Sequence, residues 1–198
     1  MKNNSTVDNL IENLTKRGLK CETHENQKNF ILPGSDRMLN TKYVTTSFDS
    51  VYYIAYDSYG TKAYTSKTYT GLYSIINLPK TAECNIYRKD WTDHFFRINK
   101  HKTGIKFIDD NLTITSRSGW TPRDIISDSD VSTYLKIAKN FTPVKLIIQN
   151  DYISILQNLN DKKVIGIETD TWLYNDIDLD IFLNLGVQLI KNLTNACT

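Results

Sequence analysis

Between Ser50 and Pro79 the chain alternates tyrosine and isoleucine with threonine, serine and lysine, first in SVYYIAYDSYG and then in TKAYTSKTYTGLYSIINLP. A period of two in aromatic and β-branched residues suits a pleated, half-buried strand and gives a helix no coherent face. Tyr52, Tyr53, Tyr56, Tyr59, Tyr64, Tyr69 and Tyr73 all fall here. Alternation divides them between the two faces of a sheet. The first run is expected to end in a turn at Ser58–Gly60, and the second to contain a turn or bulge near Gly71 before Pro79 closes it.

The rest of the chain extends this pattern. From about residue 42 to 118 the signals are β, with AECNIYRK, HFFRI, IKFI and TITSRS as further strands. Asp109, Asp110 and Asn111 stand where a hairpin needs a turn, and both residue types tolerate the left-handed conformation, so turn chemistry accounts for them. Upstream, the polar stretch CETHENQKN leads to a short strand, FIL, stopped by Pro33 and Gly34. Downstream, VKLIIQ and YISILQ flank Asn150–Asp151 as an expected hairpin, and KVIGIETDTWLY holds one more strand.

Three segments have helical spacing. In residues 6 to 17, Val7, Leu10, Ile11 and Leu14 share a face, with Thr6 to cap and Gly18 to stop the helix. Near 128–141, Val131, Tyr134, Leu135, Ala138 and Phe141 form a stripe behind Ser127 as N-cap, with Asp128 and Asp130 in the first turn. Near 176–193, Ile177, Ile181, Leu185, Leu189 and Leu193 recur every four residues. The expected fold is α+β: a mainly antiparallel, twisted sheet with an N-terminal, a central and a C-terminal helix packed on it. The whole of 1–198 reads as one domain, with 117–127 as the one place for an internal boundary.

Composition limits the function classes. The net charge of +2 is too small to define a nucleic-acid surface, and the excess of +5 over 1–104 and −3 beyond it is mild. Cys21, Cys84 and Cys197 lie far apart, with no CxxC or Cys/His metal spacing. An odd, sparse set of cysteines suits a reducing compartment, so a cytoplasmic location is expected. The N-terminal segment has no apolar signal region, and no apolar run reaches the ~20 residues of a bilayer span.

Chemistry-bearing patterns are few. DIDLD, with Asp176, Asp178 and Asp180, opens like a calcium loop, but Ile181 replaces the turn glycine and Val187 the bidentate glutamate. Helix capping explains the three acids instead. Glu168 and Asp170 share a face of their strand, expected to be the solvent face of an edge strand. Asp90, Asp93 and His94, with His101 or a distant His24, would be the place for a metal or a small enzyme site, although their spacing matches no ligand motif. No nucleophile elbow, P-loop or dinucleotide fingerprint occurs, and no cofactor is implied.

The tyrosines are the larger resource. Tyr52, Tyr56, Tyr64, Tyr69 and Tyr73, with Lys62 and Lys67, define a candidate face for stacking on a peptide, glycan or single strand. Cross-strand aromatic pairs also stabilise a sheet without any ligand. The reading is a non-catalytic domain that binds another protein or peptide through this face or a sheet edge. The alternatives are an enzyme or metal protein at Asp90, Asp93 and His94, and an immunity- or chaperone-like partner protein dimerising through its last helix.

The run YTGLYSIINLPK, a basic strand, FIDDNLTITSRS, the helix VSTYLKIAKNF and then VKLIIQNDYISILQ resemble, over roughly 69 to 157, a family of bacterial domains of unknown function. That family combines a strand of the F-x-G-L-F type, a second before a short helix, and a closing hairpin. The resemblance implies a fold and assigns no activity. Longer members carry membrane helices ahead of the domain, and no such helix is present in this sequence.

Overall fold

The computed structural model describes residues 6–32, 35–60, 67–90 and 99–197. Helix α1 (Thr6–Lys16) is followed by strands β1 (Glu22–Leu32), β2 (Ser35–Phe48), β3 (Val51–Gly60), β4 (Lys67–Ile75), β5 (Cys84–Arg88) and β6 (Lys100–His101). Next come helix α2 (Lys106–Asn111), β7 (Leu112–Thr115), helix α3 (Asp128–Asn140), β8 (Val144–Asn150), β9 (Lys163–Thr169) and helix α4 (Asp176–Asn195). The nine strands form one sheet in the order β1-β2-β3-β4-β9-β8-β5-β7-β6, every pair antiparallel. The fold is thus α+β, with an N-terminal and a C-terminal helix packed on the sheet, and strands on either side of 117–127 pair with one another.

The tyrosine alternation is resolved by register. Val51, Tyr53 and Ala55 face one side with Val44, Leu72, Ile165, Ile167, Leu146, Ile148 and Ile86. The three long helices cover this side. Leu10 and Leu14 of α1, Val131, Tyr134 and Ile137 of α3, and Leu179, Phe182, Leu189, Ile190 and Leu193 of α4 are all buried in the same core. Each such aliphatic side chain contributes about 1.5–3 kcal/mol relative to exposure. Helix α4 comes closest at Gly186, where an added Cβ would stand 2.6 Å from Leu72 Cδ1.

Capping follows the sequence closely. Ser127 caps α3 in a full capping box with Asp130, and Gly18 leaves α1 at φ +77°. Asn175 caps α4 by accepting from the Asp178 N–H at 2.8 Å. Asp176 and Asp180 pair with Arg17 at 2.8 and 2.5 Å, clamping α1 to the start of α4. The acids of DIDLD therefore serve the helix terminus.

Several expected strands differ. CETHENQKN is not a connection, because β1 starts at Glu22 and pairs with β2 along its whole length. β3 and β4 run straight through Ser58–Gly60 and Gly71 without a turn. The turn between β2 and β3 is instead Asp49–Ser50, both left-handed at φ 48° and 64°, as a tight two-residue hairpin demands. IKFIDDN is helix α2 rather than strand and turn. Ile105, Ile108 and Leu112 follow helical spacing, and the Asp109 carboxylate accepts from Thr103 N (2.8 Å), Thr103 Oγ1 (2.9 Å) and Gly104 N (3.0 Å), folding the loop onto the helix. YISILQ does not pair with VKLIIQ, because β5 and β9 already flank β8 and leave it no free edge. The HFFRI segment lies outside the described residues.

Gly71 and Gly166 have a different purpose from a turn. Gly166 is the cross-strand partner of Tyr73, and Gly71 precedes Tyr73 by two on the same face. A Cβ on either would overlap the Tyr73 ring, at Oη and the ring carbons for Gly71 and at Cδ1 for Gly166. The ring lies flat in a trough that only glycine leaves open. Gly166→Ala should destabilise by about 1–3 kcal/mol through overpacking. In urea unfolding, the same change on a Tyr73→Leu background should cost at least ~1 kcal/mol less. Equal costs on both backgrounds would refute the trough.

Candidate functional site

The face opposite the helices carries Tyr43, Tyr52, Tyr56, Tyr69 and Tyr73. Reading across the sheet, one row is Ser47, Tyr52, Tyr73, Gly166 and Ile147. The next is Glu22, Thr45, Ile54, Gly71, Glu168 and Lys145, and a third is His24, Tyr43, Tyr56 and Tyr69. Among the described residues no α-helix lies on this face. Part of it is covered by the loop 151–162, which leaves β8 and returns to β9 with its ends tied by Asp151 N to Lys162 O at 3.0 Å. Asp151 and Asp161 adopt φ 49° and 56°, a conformation Asp accepts more readily than most residues. The loop is an Ω-loop that inserts Ile153 and Leu159 against Ile54, Tyr69, Tyr73, Ile147 and Val164.

The loop is fastened by a buried polar cluster. Glu168 is only 1% exposed. It accepts hydrogen bonds from Tyr73 Oη and from Tyr152 Oη (2.9 Å), and its Oε2 lies 2.7 Å from Lys145 Nζ. Lys145 Nζ also donates to Tyr152 Oη at 2.9 Å. Burial works to lower the Lys145 pKa, but the Glu168 charge and the bonds to Glu168 and Tyr152 outweigh it and hold the ammonium form. The edge-strand expectation for Glu168 and Asp170 is corrected here. β9 is the fifth of nine strands, all its residues are buried, and only Asp170, just beyond its end, is exposed. No periodicity distinguishes a buried glutamate from a surface one. The clue was the neighbouring run VIGI, apolar on both faces.

Beside the loop, the third row forms an aromatic ladder. His24 and Tyr43 stack at 4.6 Å and 16°, Tyr43 and Tyr56 at 6.3 Å and 21°, and Tyr56 and Tyr69 at 5.0 Å and 23°. Lys67 Nζ closes the end, 4.6 Å from the Tyr69 centroid. The inner ring faces of Tyr43 and Tyr56 are thus taken up within the ladder, whose exposed end is His24. Between the ladder and the Ω-loop run two adjoining clefts of about 480 and 590 Å³ that share His24, Tyr43 and Ile155. Together they make a groove parallel to β1 and β2. Its lining is mainly polar: Thr45, Ser47 and Tyr52 on the sheet, Gln157 and Asn158 on the loop.

Of the residues singled out in the sequence, Tyr52, Tyr56, Tyr69, Tyr73 and Lys67 lie on this one face. Tyr52 and Tyr56 are half-buried, whereas Tyr69 and Tyr73 are buried beneath the loop. Lys62 and Tyr64 lie outside the described residues. His24 and Tyr43 complete the ladder but were not assigned to this face: β1, which carries His24, does not alternate apolar with polar, and Tyr43 on β2 lies outside the tyrosine-rich run. Asp93 and His94 also lie outside the described residues. Among the described residues no group of three or more His, Cys, Asp or Glu could hold a metal ion, and no helix is long and apolar enough to cross a membrane. His101 is engaged with the Ser116 carbonyl at 3.0 Å. Cys84 is buried, which raises its thiol pKa to about 12. Comparison with family models, characterised proteins and solved structures returned no match.

Two measurements test this site. Lys145→Met strips the partner from a buried carboxylate and should cost about 3–5 kcal/mol, with Lys145→Met/Glu168→Gln recovering most of it. Hydrogen exchange should quicken first in 151–162. The second test is alkaline. Burial first, and the Glu168 charge second, push the Tyr69 and Tyr73 hydroxyls well above 10 and Tyr152 to about 12. The folded chain holds these protons more tightly than the unfolded chain, whose tyrosines ionise near 10. The stabilisation is therefore complete below pH about 10 and lost as pH climbs through the folded values. Tm should fall steeply above pH 10, with tyrosinate absorbance appearing together with unfolding. Complete ionisation of all 12 tyrosines in a folded chain would contradict the burial.

Proposed function

We propose that this chain is a non-catalytic binding module that takes another protein or peptide in the groove between the β1–β2 face and the Ω-loop. The observation that carries this reading is the groove itself. It is a polar channel along two strands, roofed by loop residues Ile155 to Asn158, on the face the helices leave uncovered.

The chemistry of the face supports binding over catalysis. The one buried carboxylate of this face among the described residues, Glu168, accepts three hydrogen bonds from its own neighbours and is sealed below the loop. A general base needs a free lone pair within reach of a substrate proton. The ladder favours a partner read by hydrogen bonds over one read by stacking, because a sugar ring or nucleobase needs an open ring face.

Selection from a displayed library of random linear peptides tests the reading. Enriched peptides should bind the wild type and lose about tenfold or more in affinity to Asn158→Arg and to His24→Ala. Both sites are exposed, so Asn158→Arg should keep the wild-type melting profile, and His24→Ala, which gives up the stack on Tyr43, should lose no more than about 1 kcal/mol. Phe107→Ala, on α2 away from the groove, should bind normally. The reading fails if no enriched peptide distinguishes the groove variants from the wild type.

A further inference from the structure

Among the described residues, the groove runs beside a sheet edge to which no further strand is bonded. β1 is the terminal strand, and among the described residues the only strand bonded to it is β2. It is 11 residues long, against 2 for β6 at the opposite edge. In an antiparallel pair, every second residue of an edge strand turns its N–H and C=O away from its neighbour. Long edges of this kind are templates for another strand unless blunted by a bulge, proline, cover or charged side chains, and the charges on this stretch, Glu22 and Glu25, leave the edge open to a strand of complementary charge. β1 pairs with β2 without a bulge from Glu22 to Leu32, and Glu22, Thr23, His24, Glu25 and Asn26 are all exposed.

We infer that the partner binds as an extended peptide that adds a tenth strand to β1 at Glu22–Asn26, with basic residues meeting Glu22 and Glu25. This inference rests on the groove reading and names the chemistry of its ligand. Five residues of β1 span about 16 Å, so a peptide of similar length pairs along the described edge. Strand addition supplies affinity through main-chain bonds, while alternate side chains give specificity.

The groove and the edge act together. Alternate peptide residues on the helix-free side fall beside Glu22, His24 and Asn26, which border the two clefts. The charges set the sequence preference. Glu22 and Glu25 are exposed and only loosely paired, with His24 at 3.7 Å and Lys42 at 3.9 Å. Opposite charges across a strand pair are favourable and like charges unfavourable. Glu22 and Glu25 lie three apart and face opposite sides of the sheet, so a complementary strand carries two basic residues separated by two positions. That spacing distinguishes a strand from a helix, in which residues three apart share a face.

The test uses the full chain and groove-dependent peptides from the displayed library. Hydrogen exchange of the outward-facing amides, every second one in Thr23–Asn26, should slow by about tenfold or more when a synthetic copy saturates the protein. Two N-methylated copies, one methylated at odd amides and one at even, should behave oppositely. The series whose amides face β1 loses binding, and the series facing solvent keeps it. Glu22→Lys/Glu25→Lys should weaken basic peptides about tenfold and favour copies with the two basic residues changed to glutamate. Groove-dependent binding with unslowed β1 amides, or equal binding by the two methylated series, overturns strand addition while leaving the groove reading intact. Absence of any groove-dependent peptide overturns both.

Discussion

The structure depends on the placement of β9. The hairpin of β8 and β9 enters the sheet between β4 and β5, making β9 a strand buried on both faces. On one face Ile165 and Ile167 pack under α4. On the other, Val164 meets the Ω-loop, Gly166 receives the Tyr73 ring, and Glu168 anchors Tyr73, Tyr152 and Lys145. A carboxylate in the middle of a sheet is tolerable only when its charge and lone pairs are matched. One ammonium and two tyrosine hydroxyls do this, and two of these three groups lie on strands already fixed by register. The third, Tyr152, belongs to the loop. Solvating Glu168 and closing the loop are therefore one event.

The same arrangement shapes the groove. Ile153 and Leu159 drive the loop down at β3, β4 and β9, where Ile54, Tyr69 and Val164 await them. Over β1 and β2 the partners are His24, Tyr43, Thr45 and Ser47, and the loop stands clear. A single sheet face is thus apolar and sealed at the centre, polar and open toward β1. The ladder is the transition between them. Its Tyr69 end is buried and its His24 end exposed.

The sequence made the helices legible because their signals are local. Ser127, Gly18 and the repeats at Leu10/Leu14 and Leu189/Leu193 act within one or two turns of their own chain. The β-strands were legible as strands wherever tyrosine and isoleucine alternated, but not as a topology. VKLIIQ and YISILQ are equally apolar, and only the occupancy of both edges of β8 decides that the second becomes a loop. Glu168 was misplaced for the same reason, since edge or centre is a property of the whole sheet. Gly71 was misread because a strand glycine ordinarily marks a bulge. Here it accommodates a ring two residues away. In α2, the short spacing Ile105–Ile108–Leu112 fits a helix, yet the three hydrogen bonds from 103–104 to Asp109 that hold it are tertiary in effect.

The tyrosines show how composition can mislead about mechanism. A chain rich in exposed tyrosine suggests stacking surfaces, and cross-strand register determines whether the faces are available. Here His24, Tyr43, Tyr56 and Tyr69 sit directly opposite one another on adjacent strands. Strand spacing of about 4.8 Å is close to ring-stacking distance, so the rings satisfy one another. Under the proposed function, what the ladder leaves for a partner lies beside the edge strand β1, and it suits hydrogen bonding to an extended chain better than adhesion to a flat ring. The same tyrosines at positions offset by one register pair would have left ring faces open, and the argument for the partner's chemistry would reverse.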